Sequence, residues 1–210
     1  MARRTPRGAL EMNQLPPVHL PTGLVVRHAT RDDLGDAAAL MVRTFNEDFG
    51  YGLRPEMHAD VVDLAAAYLD KPHSALFVAV DATGALVGTA AIASWDRRHP
   101  THPAWLAERY ATVRSAELLR VYVAREHRRR GAARELIELA RRWVSAERHF
   151  KLLILHTNAG VPGALAFWNA TATLVHDSRP NEHNTVHFEL ALERPVPGSS
   201  GDATTREVRA

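Results

Sequence analysis

A strand, an arginine-rich turn, an amphipathic helix and a second strand follow one another between residues 116 and 158, and no other stretch of the 210-residue chain limits its fold as tightly. The two apolar runs are AELLRVYV (116–123) and KLLILHTN (151–158). Between them, AARELIELARRWVSAE (132–147) sets Leu136, Ile137, Ala140, Trp143 and Val144 on one stripe and leaves Arg134, Glu138, Arg141 and Arg142 outside it. That is the pattern of a helix with one buried face, and the whole reads as a β-α-β unit. The turn that links strand to helix, EHRRRG (126–131), places three like charges side by side, so it needs either water or an anion.

The remaining elements read around this unit. ALFVAVDATGALVGTAAIASW (75–95) holds two β-rich runs separated by Asp81-Ala-Thr-Gly84, an antiparallel hairpin. LVVRHA (24–29) reads as a strand, with Thr30 as N-cap of a helix carrying Leu34, Ala38, Met41 and Phe45 at helical spacing. A second helix is expected in PEMHADVVDLAAAYLD (55–70), ending before Pro72. DRRHPTHPAWLAERYATVRS (96–115) reads as a surface excursion with a short helical pattern. A further helix fits PGALAFWNATA (162–172), opened by Pro162, and NTVHFELAL (184–192) alternates as a closing strand. One domain is expected over residues 23–194, between flexible tails at 1–22 and 195–210.

Composition removes several function classes. The chain has no cysteine, which excludes disulfides, a thiolate nucleophile and Cys-ligated zinc. Its formal charge of +2 is too small for a dedicated polyanion binder. No apolar run approaches the roughly 18–20 residues of a membrane span, and the N-terminal residues lack the apolar middle of a secretory signal, so the cytoplasm is the expected compartment.

The turn has a physical reading of its own. Where a strand enters a helix, the first backbone N–H groups of the helix lack intrahelical partners, and the helix dipole adds roughly half a positive charge there. Gly131 and Ala133 leave the main chain open to close approach, and Arg128, Arg129 or Arg130 can supply charge-assisted hydrogen bonds. A phosphate-bearing ligand and a solvated turn both satisfy this composition. Neither Gly-x-x-x-x-Gly-Lys-Ser/Thr nor Gly-x-Gly-x-x-Gly occurs, and the turn follows a hairpin and a long connection, unlike the opening unit of a doubly wound nucleotide fold.

AELLRVYVAREHRRRGAARELIELA resembles the central motif of the GNAT superfamily of acyl-CoA-dependent acetyltransferases. There, a strand leads into Arg/Gln-x-x-Gly-x-Gly/Ala and then a helix; Arg128, Gly131 and Ala133 fall on the motif positions, and the order of elements agrees over residues 23–192. The resemblance implies an α/β (α+β) fold with a mixed, mostly antiparallel sheet, helices on both faces, and strands splayed to admit acetyl-CoA as cosubstrate. It implies that main-chain N–H groups from Arg128 through Arg129, Arg130, Gly131 and Ala132 to Ala133 hold the pyrophosphate. The main chain of Val121 and Val123 would meet the pantetheine arm, one amide facing the thioester oxygen as an oxyanion stabiliser. Glu117 occupies the place of the base glutamate of some relatives, and Asn158 that of an asparagine after the second strand.

The activity so implied is acetyl transfer to a primary amine by direct attack in a ternary complex. An amine of pKa about 10.4 is neutral only about one part in a thousand near pH 7, worth roughly 4 kcal/mol of barrier, so a base is expected. Many relatives carry a tyrosine on the last helix that protonates the departing thiolate. Here the stretch is FWNATAT, which puts Phe167 or Trp168 there, so Tyr122 or a water is the expected acid.

The acceptor is expected to be a small-molecule or peptide amine. Glu47, Asp48 and Tyr51, with Trp95, Asp96 and Tyr110, are candidate acceptor residues, and a carboxylate wall would favour a cationic amine. No metal is expected: His183 and His187 lie four apart on a strand and His99 and His102 share a loop, but neither pair has a third ligand at recognisable spacing. A basic-helix nucleic-acid binder is disfavoured, because Glu135, Glu138 and Glu147 interrupt the arginine face. A GNAT-like domain that binds acyl-CoA as a sensor is the second reading, and a homodimer is left open.

Overall fold

ALFVAV (75–80) is apolar at every position because both of its faces are covered. Phe77 and Ala79 belong to one buried cluster, and Leu76 and Val78 to another on the opposite side. In a strand, alternate residues point to opposite faces, so this run must sit inside a sheet with layers on both sides.

The computed structural model describes residues 14–96 and 102–192. Its strands are β1 (Val18–His19), β2 (Val25–His28), β3 (Ala75–Val80), β4 (Leu86–Ser94), β5 (Ser115–Val123), β6 (Leu152–Asn158), β7 (Thr173–Asp177) and β8 (Thr185–Leu190). Its helices are α1 (Leu34–Glu47), α2 (Ala59–Val62), α3 (Ala104–Arg109), α4 (Ala132–Glu147) and α5 (Ala164–Thr171). The strands form one eight-stranded sheet in the order β1-β2-β3-β4-β5-β6-β8-β7. All neighbours are antiparallel except β5 and β6, which are parallel. α4 packs on one face with Leu136, Ile137, Leu139, Ala140, Trp143 and Val144 buried. α1 covers the other with Ala37, Met41 and Phe45. The expected mixed, mostly antiparallel sheet with helices on both faces is therefore the fold.

Three elements differ from the sequence reading. The sheet begins inside the stretch read as a tail, since Val18 pairs with Val26 and His19 with Val25. The helix expected over 55–70 is broken. Asp63 leaves helical geometry and its Oδ1 accepts the Ala66 N–H, after which a wide turn closes with Asp70 N–H on the Ala65 carbonyl; an aspartate side chain competing for backbone donors is a common cause of such a break. β7 was not expected at all, because Thr173–Asp177 is a half-exposed edge strand without an apolar alternation. The tail at 195–210, residues 1–13 and His99 lie outside the described residues. Among the described residues no helix is long and apolar enough to cross a membrane.

Candidate active site

The parallel pairing of β5 and β6 lasts for three residue pairs, Ser115 with Leu152, Ala116 with Leu153 and Glu117 with Ile154, and then stops. Beyond it β5 continues along β4 and β6 along β8, so the two strands part and leave a gap. The gap is a cleft of ≈ 190 Å³ lined by Leu118 to Tyr122 of β5, His156 to Asn158 of β6, Trp168 of α5, and Phe49, Tyr51, Met57 and His58 from the connection after α1. Val121, Tyr122, Asn158 and Trp168, all expected at the site, line it.

The backbone of β5 is turned toward this gap. Ala124 donates its N–H to Val87 of β4, and Tyr122 lies opposite Thr89, so alternation points the amides of Val121 and Val123 away from β4. Tyr122 pairs with Thr89 and Leu119 with Ala91, leaving Arg120 and Val121 against Ala90 alone. That is a β-bulge, with Arg120 at φ 54°.

The arginine turn resolves into two parts. Arg128 folds back: its Nε donates to the Val123 carbonyl at 3.0 Å and its Nη2 to Asp48, while its own N–H bonds the Arg125 carbonyl. Its side chain thus ties the turn to the end of α1, and the open amides begin one residue later than expected. Arg129, at φ 66°, and Arg130 are exposed and enter no ion pair among the described residues. Gly131 is the N-cap of α4 at φ 87°, a backbone region that favours glycine. The N–H groups of Arg129, Arg130 and Gly131 have no hydrogen-bond partner among the described residues. Ala132 is buried beneath the turn and Ala133 half-buried, so they seat it on the core.

Glu117, at the fork of the strands, is buried and does not itself line the cleft. Nδ1–H of His156 donates to its Oε1 at 2.8 Å. Burial pushes the Glu117 carboxyl up, but His102 and His156 outweigh it and hold it at about 2. Of the two, His156 makes the hydrogen bond; His102 Nε2 stands 3.6 Å away and accepts the Trp95 indole N–H at 2.8 Å. His102 Nδ1 lies 3.3 Å from His187 Nε2. The ligand atoms of His102, Glu117 and His156 all lie within 4.8 Å of one another. Those atoms are engaged with one another and with Trp95, and we assign no ion to them. His183 and His187 do not act as a pair: His183 precedes β8 and lines the cleft, whereas His187 is buried in this cluster.

The sequence matches the family model "Acetyltransferase (GNAT) family" over residues 39–171. The chain belongs to the GNAT acetyltransferase family. No curated protein matches the sequence. Among solved structures, a GNAT-family acetyltransferase from Staphylococcus aureus Mu50 superposes with a TM-score of 0.62 at 12% identity, over 81% of this chain and 99% of that one. FeeM, an N-acyl amino acid synthase from uncultured soil microbes, gives 0.57 at 18% identity, over 84% and 92%. Spermidine N-acetyltransferase from Vibrio cholerae, solved with CoA and spermine, gives 0.50 at 21% identity, over 80% and 93%. At these identities the likeness is one of fold.

In this GNAT chain the bulge of β5 is braced by an ion pair that the sequence did not announce. Arg120, at the bulge, grips Asp60 with Nε at 2.8 Å and Nη2 at 2.7 Å, and the Tyr68 hydroxyl donates to the same carboxylate at 2.5 Å. Replacing Asp60 with alanine leaves a largely buried guanidinium unpaired. The expected result is a loss of about 2–3 kcal/mol in urea unfolding, with Asp60→Asn recovering part of it.

The GNAT sheet also carries two histidines that burial keeps neutral, His28 lowered to about 4 and His187 to about 3. Their folded pKa lies below the unfolded value of about 6.5, so the unfolded chain binds more protons as pH falls. Their stabilisation is complete above pH 6.5 and declines toward those lower values. By pH 5 each should remove about 2 kcal/mol, read as a falling urea midpoint between pH 7 and 5 whose fall is roughly halved in His187→Phe, His28 supplying the rest.

Proposed function

We propose that this GNAT chain moves the acetyl group of acetyl-CoA to a primary amine by direct attack within a ternary complex. The observation that carries the reading is the fork after Glu117: two strands part, and the Val121 and Val123 amides of one turn into the gap. An extended pantetheine arm completes β5 by pairing with those amides, as an added strand would. The open N–H groups of Arg129, Arg130 and Gly131 at the start of α4, with the two exposed guanidinium groups, suit the pyrophosphate. Asn158 and Trp168 border the arm from β6 and α5.

Chemistry then falls on the fork. A strand amide aimed at the thioester oxygen stabilises the negative charge that develops there. Glu117 works through His156: it takes the Nδ1 proton in a hydrogen bond, which makes Nε2 the basic nitrogen of a ring that lines the cleft. That nitrogen, directly or through a water, removes the ammonium proton before attack. Tyr122, which also lines the cleft, supplies the proton for the departing thiolate and regains one from the second proton that the attacking nitrogen loses as the tetrahedral intermediate collapses. With no cysteine in the chain there is no thiol to carry the acetyl group, in keeping with a single direct transfer.

Calorimetry with acetyl-CoA, followed by thiol release measured against primary amines, tests the reading. Binding together with amine-dependent release of CoA supports it. Binding with no release for any amine points instead to an acyl-CoA sensor, and no binding removes both.

A further inference from the structure

We infer that the amine acceptor is a monoamine with an aromatic or alkyl body, not a polyamine; the inference rests on the acetyl-transfer reading. Its basis is what the acceptor side of the cleft contains and what it has already neutralised. Phe49, Tyr51, Met57, His58 and Tyr122 form that wall, and among the described residues no carboxylate lines the cleft. The rings make one continuous surface. Phe49 and Tyr51 stack with centroids 5.5 Å apart, Tyr51 and His58 at 5.8 Å, and Tyr122 meets Phe49 edge-on at 5.9 Å.

Three of the carboxylates nearby are spoken for, and the fourth, Glu56, whose charge reaches His58, is exposed and stands outside the cleft lining. Asp48, a candidate for a cation-attracting wall, is held by Arg125 at 2.9 Å and by Arg128. Asp60 is gripped by Arg120, and Glu117 by His156. Aromatic rings can themselves receive cations, but the chain supplies its own: the Arg54 guanidinium lies 5.0 Å from the Tyr51 centroid and that of Arg120 5.5 Å from the Phe45 centroid. Burial, reinforced by Arg120, lowers His58, so this side chain adds no charge near neutral pH. A second ammonium group placed here would lose water and gain no counter-charge, which is costly. An aromatic or alkyl body would bury apolar surface against the rings and Met57. The ammonium proton that must leave before attack is handled at the fork by Glu117 and His156.

Phenethylamine and spermidine are suitable probes. With the CoA-loaded protein in a calorimeter, phenethylamine is expected to bind at least 10-fold more tightly than spermidine, and in turnover to exceed it at least 30-fold in kcat/KM. Tyr51→Ala should raise KM for phenethylamine several-fold with little change in kcat. Met57→Glu, which returns a carboxylate to the wall, should narrow the preference by 10-fold or more. Equal or tighter binding of spermidine overturns the inference, whatever the turnover. The acetyl-transfer reading fails separately: phenethylamine bound by the CoA complex but never acetylated keeps the apolar seat and removes the reaction.

Discussion

Replacing Gly131 with valine is expected to weaken acetyl-CoA binding at least 100-fold. Gly131 caps α4 at φ 87°, where a β-branched residue is strained, and the strain is relieved only by rotating the turn. Rotation turns away the amides of Arg129, Arg130 and Gly131, and each hydrogen bond from an amide to a charged phosphate oxygen contributes about 1.5–3 kcal/mol. Loss of two such bonds is worth two decades of affinity or more. Alanine separates strain from bulk. A Cβ at this position would approach the Leu20 side chain no closer than 3.4 Å, an ordinary contact, so Gly131→Ala meets only the conformational cost of about 1 kcal/mol. Its affinity should fall roughly 5-fold. Titration by calorimetry, with thermal unfolding to show that each variant is folded, reads both. Wild-type affinity in the valine variant would remove the turn from the cofactor site.

The second large effect is expected at the fork. Glu117→Gln keeps the shape of the side chain but removes the charge that orients and polarises His156, and His156→Gln removes the proton acceptor itself. General-base catalysis is worth about 10²–10⁴-fold, so kcat for amine acetylation should fall within that range for His156→Gln and toward its lower end for Glu117→Gln. Acetyl-CoA affinity should stay within a few-fold of wild type in both, since neither group touches the turn. The acid limb of the pH profile of kcat/KM should shift in Glu117→Gln and disappear in His156→Gln. A double variant no slower than His156→Gln alone would show that the two act as one unit. Full activity in both single variants would place the base elsewhere.

How far the sequence carries toward this account depends on where its information is local. The β-α-β unit was legible because Leu136, Ile137, Ala140, Trp143 and Val144 recur at helical spacing and all are buried. The hairpin was legible because Asp81 to Gly84 forms its turn by itself, the Asp81 side chain accepting from Thr83 and Ala85. The place of Gly131 was legible because an apolar run, a turn and a helical stripe meet there, and it is the N-cap of α4 at φ 87°. The division of labour among the arginines was not. Arg128 is committed to Asp48, eighty positions back in the chain, and nothing local distinguishes it from Arg129.

The cluster at the fork shows the same limit more sharply. Glu117 was named from the strand, but its partners arrive from elsewhere: His156 from β6, and His102, itself 3.3 Å from His187 of β8, from the excursion before α3. Each is an unremarkable histidine in its own segment. Likewise the acceptor wall read from Glu47 and Asp48 suggested negative charge, and it is pairing with Arg125 and Arg128 that cancels it. β7 escaped notice because an exposed edge strand has no buried face to impose a period on Thr173–Asp177.

The account stands or falls on a crystal structure of the chain with CoA. It predicts the diphosphate within about 3 Å of the amide nitrogens of Arg129, Arg130 and Gly131, and the arm running along Val121 and Val123 so that the sulfur reaches the fork at Glu117. A cofactor seated away from the turn, or β5 and β6 closed against each other with the arm outside, would contradict it.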